Sequence, residues 1–252
     1  MPTAAGIYYF LSGDPSVAAN SLILLHGAGG LYQHWPYQLR RVPGWRVLAP
    51  DLPGHGHSEG QVKESVEEYA SWLDEWLELV GVKQSVLVGH SMGAAICLSL
   101  ALVRPERTKA LVLIGGGARY AVNPKLLEDL LIPTRMQSAI DLMAKWSFAQ
   151  GSDANLQEAY TRQLLGNPLG VLYADLTACS RVDLTSVLNE VKQPALILCG
   201  SEDRMMPPEN SIRLKNGLRR SQFQVIDGGG HMVMLEKSRE VAHAVEKFLG
   251  SL

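Results

Sequence analysis

The chain has 252 residues, 46% of them apolar and 19% charged, with a formal net charge of −2. That length suits one large α/β domain carrying an insertion, with ample core. The near-neutral charge excludes an electrostatic footprint for nucleic acid or an anionic membrane. Cys97, Cys179 and Cys199 lie far apart in the chain. They have neither disulfide nor metal-ligand spacing, which predicts buried, reduced thiols.

No Lys or Arg precedes Arg40, so the start lacks the basic segment of a signal peptide. The longest apolar stretch, Ala94 to Val103, is too short to span a bilayer. Cytoplasmic residence without stable membrane association is the expectation.

Residues 6–12 read as a first strand, followed by a turn at Gly13-Asp14-Pro15. Ser21 to Leu25 is a continuous apolar run, the pattern of a strand buried on both faces of a mostly parallel sheet. It ends in His26-Gly27-Ala28-Gly29-Gly30. Trp35 to Arg41 is weakly helical. Residues 45–49 form another strand, closed by Asp51-Leu52-Pro53-Gly54-His55-Gly56-His57-Ser58. Between Glu64 and Val80 the apolar positions Val66, Tyr69, Ala70, Leu73, Trp76, Leu77 and Val80 follow helical spacing, a stripe that packs on the sheet. The arginine pairs Arg40-Arg41 and Arg219-Arg220 read as solvated.

Strand 85–88 leads into Gly89-His90-Ser91-Met92-Gly93 and then an apolar helix, 94–103. Strand, tight turn and helix with a serine at the turn is the sequence form of a nucleophile elbow. The glycines answer a steric need, because a turn this sharp presses the neighbours of the serine together. The serine then stands at a helix N-terminus, where backbone N–H groups and the dipole favour a developing negative charge.

A further buried strand, 110–114, closes on Gly115-Gly116-Gly117. From 118 to 183 no strand-like run appears. Helical stretches set off by Pro124, Pro133, Gly151 and Pro168 carry apolar faces that include Leu126, Leu130, Met143, Trp146, Phe148, Leu169 and Leu176. This segment reads as a helical insertion, a cap on a core made of 1–117 and 184–252. Strand rhythm resumes at 195–199, ending in Gly200-Ser201-Glu202-Asp203. A helix at 211–218, a strand at 223–226, the sequence Asp227-Gly228-Gly229-Gly230-His231 and a closing helix at 238–249 complete the chain.

In open parallel sheets the ligand site lies at the carboxyl ends of the strands. Those ends collect His26-Gly27-Ala28, Asp51, Ser91, Asp203 and His231. Acyl transfer by serine needs a base, a carboxylate to orient it, and donors for the oxyanion. Ser91, Asp203 and His231 supply the nucleophile, the carboxylate and the base in the chain order of an elbow hydrolase. Glu202 competes with Asp203 for the acid. The three glycines before His231 suit a mobile, tight loop that presents a side chain.

Taken together, His26-Gly27, the 51–58 loop, the elbow 89–93, Gly200-Ser201-Glu202-Asp203 with Pro207, and Gly230-His231 resemble the α/β-hydrolase-fold serine hydrolases of the small, capped carboxylesterase and lipase-like group. The resemblance covers essentially the whole chain. It implies a mostly parallel eight-stranded sheet with helices on both faces and a helical cap. The family pattern G-x-x-D-x-x-x-P favours Asp203 as the acid. No carboxylate stands in 115–119, the alternative place for it. The resemblance places the oxyanion donors at the backbone N–H groups of Met92 and Ala28, with Gly29 a near alternative.

His26, Asp51, His55 and His57 read as loop-organising residues rather than metal ligands. Trp35, Met143, Trp146 and Phe148 either line the substrate pocket or pack in the core. The expectation is a serine carboxylesterase for small to medium apolar esters, working as monomer or homodimer with no cofactor or metal. Carbon–carbon bond hydrolases, thioesterases, lactonases, perhydrolases, acyltransferases and monoacylglycerol lipases share the same sequence features, as does a slow-turnover ligand sensor.

Overall fold

The computed structural model describes residues 1–13, 20–168 and 170–252. Asp14 and Pro15 of the expected turn, and Leu169 of the expected cap face, lie outside the described residues. Eight strands form one sheet: β1 (Thr3–Ala4), β2 (Ile7–Ser12), β3 (Ser21–Leu25), β4 (Arg46–Pro50), β5 (Ser85–His90), β6 (Thr108–Ile114), β7 (Ala195–Gly200) and β8 (Ser221–Ile226). Their order across the sheet is β1-β2-β4-β3-β5-β6-β7-β8. β1 and β2 pair antiparallel, as do β2 and β4, and every later pairing is parallel. The sheet is thus mostly parallel and eight-stranded. The strand absent from the sequence reading is β1, whose two residues are too few to show any alternation.

The apolar runs become central strands because both of their faces are covered. Along β3, Leu22 and Leu24 enter one hydrophobic cluster while Ile23 and Leu25 enter the other, the period-2 alternation of a strand. One cluster holds α2 (Val66–Leu79), α3 (Met92–Val103) and α8 (Pro208–Gly217). The opposite cluster holds α1 (Tyr37–Arg40), α9 (Val233–Glu236) and α10 (Ser238–Leu249). α2 buries the expected stripe, except that Val80 lies just past its end and is half-buried. Its N-terminus is capped by Ser65, whose hydroxyl accepts from the Glu68 N–H at 3.2 Å. α3 is buried nearly throughout, which accounts for its lack of a charged face.

Between β6 and β7 run four helices, α4 (Pro124–Leu130), α5 (Pro133–Ser147), α6 (Ala154–Leu165) and α7 (Val171–Ser180). An antiparallel bridge between Arg119 and Asp183 joins the two ends of this insert. Among the described residues, no helix is long and apolar enough to cross a membrane. Arg40 departs from the solvated reading: it is half-buried, with its guanidinium carbon 5.2 Å from the Phe10 ring centroid, within cation–π range. Arg41, Arg219 and Arg220 are exposed. All three cysteines are free and buried, and burial raises their thiol pKa values.

Candidate active site

Ser91 sits between β5 and α3 with φ 51° and ψ −118°. Positive φ in a non-glycine residue is strained, at a cost of about 1–3 kcal/mol, and persists only where its surroundings over-determine it. Those surroundings are backbone groups and one side-chain hydroxyl. The Ser91 N–H donates to the Ile114 carbonyl at 2.9 Å, and the Ser91 carbonyl accepts from the Ala94 N–H at 2.8 Å and the Tyr120 hydroxyl at 2.8 Å. A Cβ at Gly89 would lie 2.2 Å from the Gly93 carbonyl oxygen, and one at Gly93 only 2.1 Å from that of Leu25. The elbow therefore requires both glycines for close approach.

His231 and Asp203 are both buried, and His231 Nδ1 lies 2.8 Å from Asp203 Oδ2. The second carboxylate oxygen accepts from the N–H groups of Met205 and Met206 at 3.0 and 2.7 Å. One oxygen of Asp203 is thus taken by backbone donors and the other faces Nδ1, an arrangement that suits the tautomer with the proton on Nδ1 and Nε2 free. Glu202 points elsewhere and accepts from the Gln150 N–H. The His231 carbonyl accepts from His90 Nε2 at 3.0 Å, and Glu236 accepts from the Gly230 and Ala149 N–H groups at 2.8 Å each. The glycines here serve close packing rather than mobility: a Cβ on Gly230 would come within 2.5 Å of the Ala149 nitrogen.

Ser91 and His231 line one cavity of about 110 Å³ together with Ala28, Tyr120, Val122, Leu126, Trp146 and Leu176. A smaller space of about 30 Å³ shares Ala28, Ser91 and His231 with it and is also lined by His34, His90, Met143 and Tyr160. Of the four residues expected to line a pocket, Trp146 borders the larger cavity and Met143 the smaller. Trp35 and Phe148 border neither; both are fully buried in the core. Ser91 Oγ makes no hydrogen bond to another described residue.

The Met92 and Ala28 N–H groups have no acceptor among the described residues. Gly29 is ruled out as a free donor, because its N–H donates to Asp175 Oδ2 at 2.8 Å. His26 organises its loop. Its Nε2 accepts from the Leu52 N–H at 3.0 Å, so its Nδ1 carries the proton donated to the Gly27 carbonyl at 2.8 Å. Asp51 accepts from the Tyr32 and His57 N–H groups. His55 reaches Asp175 at 2.7 Å.

Sequence reasoning passed over Tyr120, Glu236 and Asp175. Asp175 left a signal: a lone carboxylate in the otherwise apolar run Val171–Cys179 must be buried with partners.

A serine beside an imidazole–carboxylate pair, with two free backbone donors, has the parts required for acyl transfer. The model of the alpha/beta hydrolase fold family matches residues 20–238. Protein ABHD8 of Bos taurus is 33% identical over 242 residues, covering 90% of this chain and 55% of that protein. The chain thus spans about half the length of that relative. A 2-hydroxy-6-oxononadienedioate/2-hydroxy-6-oxononatrienedioate hydrolase of Paraburkholderia phymatum is 30% identical, covering 94% of this chain and 89% of that one. A solved thermophilic esterase superposes with a TM-score of 0.85 at 32% identity, over 97% of this chain and 98% of its own.

Proposed function

Because the chain belongs to the alpha/beta hydrolase fold family, we propose that it is a serine carboxylesterase acting on small to medium apolar esters. The observation that carries this reading is the buried Asp203–His231 pair opening with Ser91 onto one cavity. Ser91 Oγ attacks the ester carbonyl while His231 Nε2 takes the hydroxyl proton. Asp203 holds the imidazole and stabilises its charged form. The Met92 and Ala28 N–H groups receive the oxyanion. His231 then protonates the leaving alcohol, and water attacks the acyl-enzyme through the same base. Every proton in this cycle is carried by His231. Residues 118–183 act as a cap whose apolar side chains select the substrate.

The likeness to the solved esterase supports the ester reading. The Paraburkholderia relative, by its name a hydrolase of a dioate, supports a carbon–carbon bond hydrolase as the second reading. A dianionic substrate calls for several cations. Among the described residues the larger cavity is lined by one arginine, Arg204, whose Nη2 donates to the Lys145 and Phe148 carbonyls. The rest of the lining is largely apolar, which favours the neutral ester.

The test is a rate profile over p-nitrophenyl esters from acetate to palmitate, with a diketone substrate alongside. The expected result is turnover of short and medium esters that falls at least ~10³-fold in Ser91→Ala. Activity on the diketone with none on any ester overturns the assignment.

A further inference from the structure

Gly27 to Gly30 form a turn closed by the Gly30 N–H donating to the Gly27 carbonyl at 3.0 Å. The same carbonyl accepts from His26 Nδ1 at 2.8 Å. In a trans peptide the N–H points away from the carbonyl. Holding the Gly27 carbonyl on the protein side therefore turns the Ala28 N–H the other way, and Ala28 borders the Ser91 cavity.

What holds the next residue of this turn is the helical insert. Gly29 has φ +62°. Its N–H donates to Asp175 Oδ2 at 2.8 Å, and its carbonyl accepts from Asn167 Nδ2 at 2.8 Å and Gln163 Nε2 at 2.9 Å. A Cβ here would meet Leu164 and Leu172 at 3.0 Å and Asn167 at 3.1 Å. All five of these residues belong to the α6–α7 region. Both polar groups of Gly29 are thus satisfied from the insert, across more than 130 residues of chain.

Asp175 is fully buried and reaches beyond the turn. Its Oδ1 accepts from the Tyr69 hydroxyl on α2 at 2.8 Å and its Oδ2 from His55 Nε2 at 2.7 Å. His55 Nδ1 faces the Pro53 carbonyl at 3.1 Å. Both neighbours of this imidazole are acceptors, so both ring nitrogens carry protons and the pair is charged. Burial pulls His55 down, yet the charge and hydrogen bond of Asp175 outweigh it and leave its pKa above the ordinary value. One carboxylate therefore fastens α7, α2, the 51–58 loop and the Gly27–Gly30 turn to one another.

We propose that Asp175, Asn167 and Gln163 are positioning residues that aim the Ala28 N–H at the oxyanion, so that the insert sets the catalytic geometry as well as the substrate pocket. The inference rests on the Ser91 acyl-enzyme reading. An oxyanion donor loses its value when displaced by fractions of an ångström, and a whole donor is worth about 10²–10³ in turnover. Asp175→Asn removes the charge facing His55, which threatens folding. The main test is therefore the double variant Gln163→Ala/Asn167→Ala at two half-buried positions, assayed on p-nitrophenyl butyrate and with phenylboronic acid. The boronate adds to Ser91 as a tetrahedral anion and reads the oxyanion hole directly.

The expected result is kcat down ~10-fold or more, KM within about twofold, boronate affinity reduced by a similar factor to kcat, and thermal midpoint little changed. Asn167→Gln on the Gln163→Ala background should recover part of the loss. A folded double variant with wild-type kcat and wild-type boronate affinity overturns the positioning role while leaving the esterase reading intact. Ester turnover surviving Ser91→Ala removes both.

Discussion

At the carboxyl ends of the strands, geometry is held by backbone packed on backbone. In α4–α7 it is held by side chains. A Cβ on Gly93 or Gly200 would come 2.1 Å from a carbonyl oxygen across the site, whereas Gly151 and Gly170 of the insert have nothing within 4 Å of theirs. At these strand-end glycines no side chain fits, which is why their positions carry recognisable motifs. The part of the insert in the site is written in scattered side-chain contacts. The two regions nevertheless meet at Gly29, where insert side chains hold a strand-end turn.

The largest effect expected from breaking the strand-end face is chemical. Asp203→Asn keeps the shape of the side chain, but it removes the anion that orients His231. Ester turnover should fall ~10³-fold or more. A circular dichroism spectrum and thermal midpoint close to wild type would show that the loss is not one of folding. Wild-type turnover in this variant would end the role of Asp203.

The strand-end face should also be the acid-labile half. His26, His34 and His90 are buried there, and burial pushes all three pKa values down; neighbouring His55 and His231 add to the effect on His26 and His90 respectively, and His34 falls to about 4. The insert, 118–183, contains no histidine. An unfolded chain protonates these rings near pH 6.5 while the native state resists, so between about 6.5 and 4 the unfolded state binds more protons. Stability present above pH 6.5 is lost as pH falls, at up to about 1.4 kcal/mol per pH unit for each ring. Urea unfolding midpoints at pH 7.5, 6.5 and 5.5 measure this. A flat profile would mean the three rings are not held neutral.

The reach of the sequence follows the same division. The meeting of Ser91, Asp203 and His231 at one cavity is legible in the sequence because each follows a strand with a pronounced apolar run. Ala28 is proposed as a donor by resemblance, and the commitment of the Gly29 N–H to Asp175 removes the neighbouring alternative. Asp175, Asn167 and Gln163 were not legible as a group, since nothing in helical periodicity says which turn a helix end will touch. Trp35 and Phe148 read as well as Trp146 for a pocket. All are large aromatics near expected helices, and only the packing separates fully buried residues from one facing the cavity. Arg40 read as solvated because stacking on Phe10, thirty residues earlier, has no local sequence mark.

Steric substitutions sharpen the contrast directly. Gly93→Ala must displace backbone at the Leu25 carbonyl and should cost about 3 kcal/mol or more. Gly170→Ala meets no neighbour and strains only its own φ of +87°, worth about 1–2 kcal/mol. Denaturant midpoints of the two variants compare them. Equal losses would mean that the strand-end face is no more constrained than the insert.

The smallest expected effect belongs to the insert and concerns choice of substrate rather than rate. Trp146 is half-buried on α5 and borders the larger cavity with Leu126 and Leu176. Trp146→Ala removes a large apolar wall without touching Ser91, His231 or the Gly29 contacts. Because the residue is not enclosed on all sides, the structural loss should be below that of a fully buried aromatic. The ratio of octanoate to butyrate turnover should rise ~10-fold, a change of about 1.4 kcal/mol in relative barrier. Turnover of the butyrate ester itself should stay within a few-fold of wild type. If both esters lose rate equally, Trp146 supports the site instead of shaping its pocket. The insert would then act on catalysis through its contacts with Gly29 alone, and the boundary between the two regions would have to be drawn at that turn.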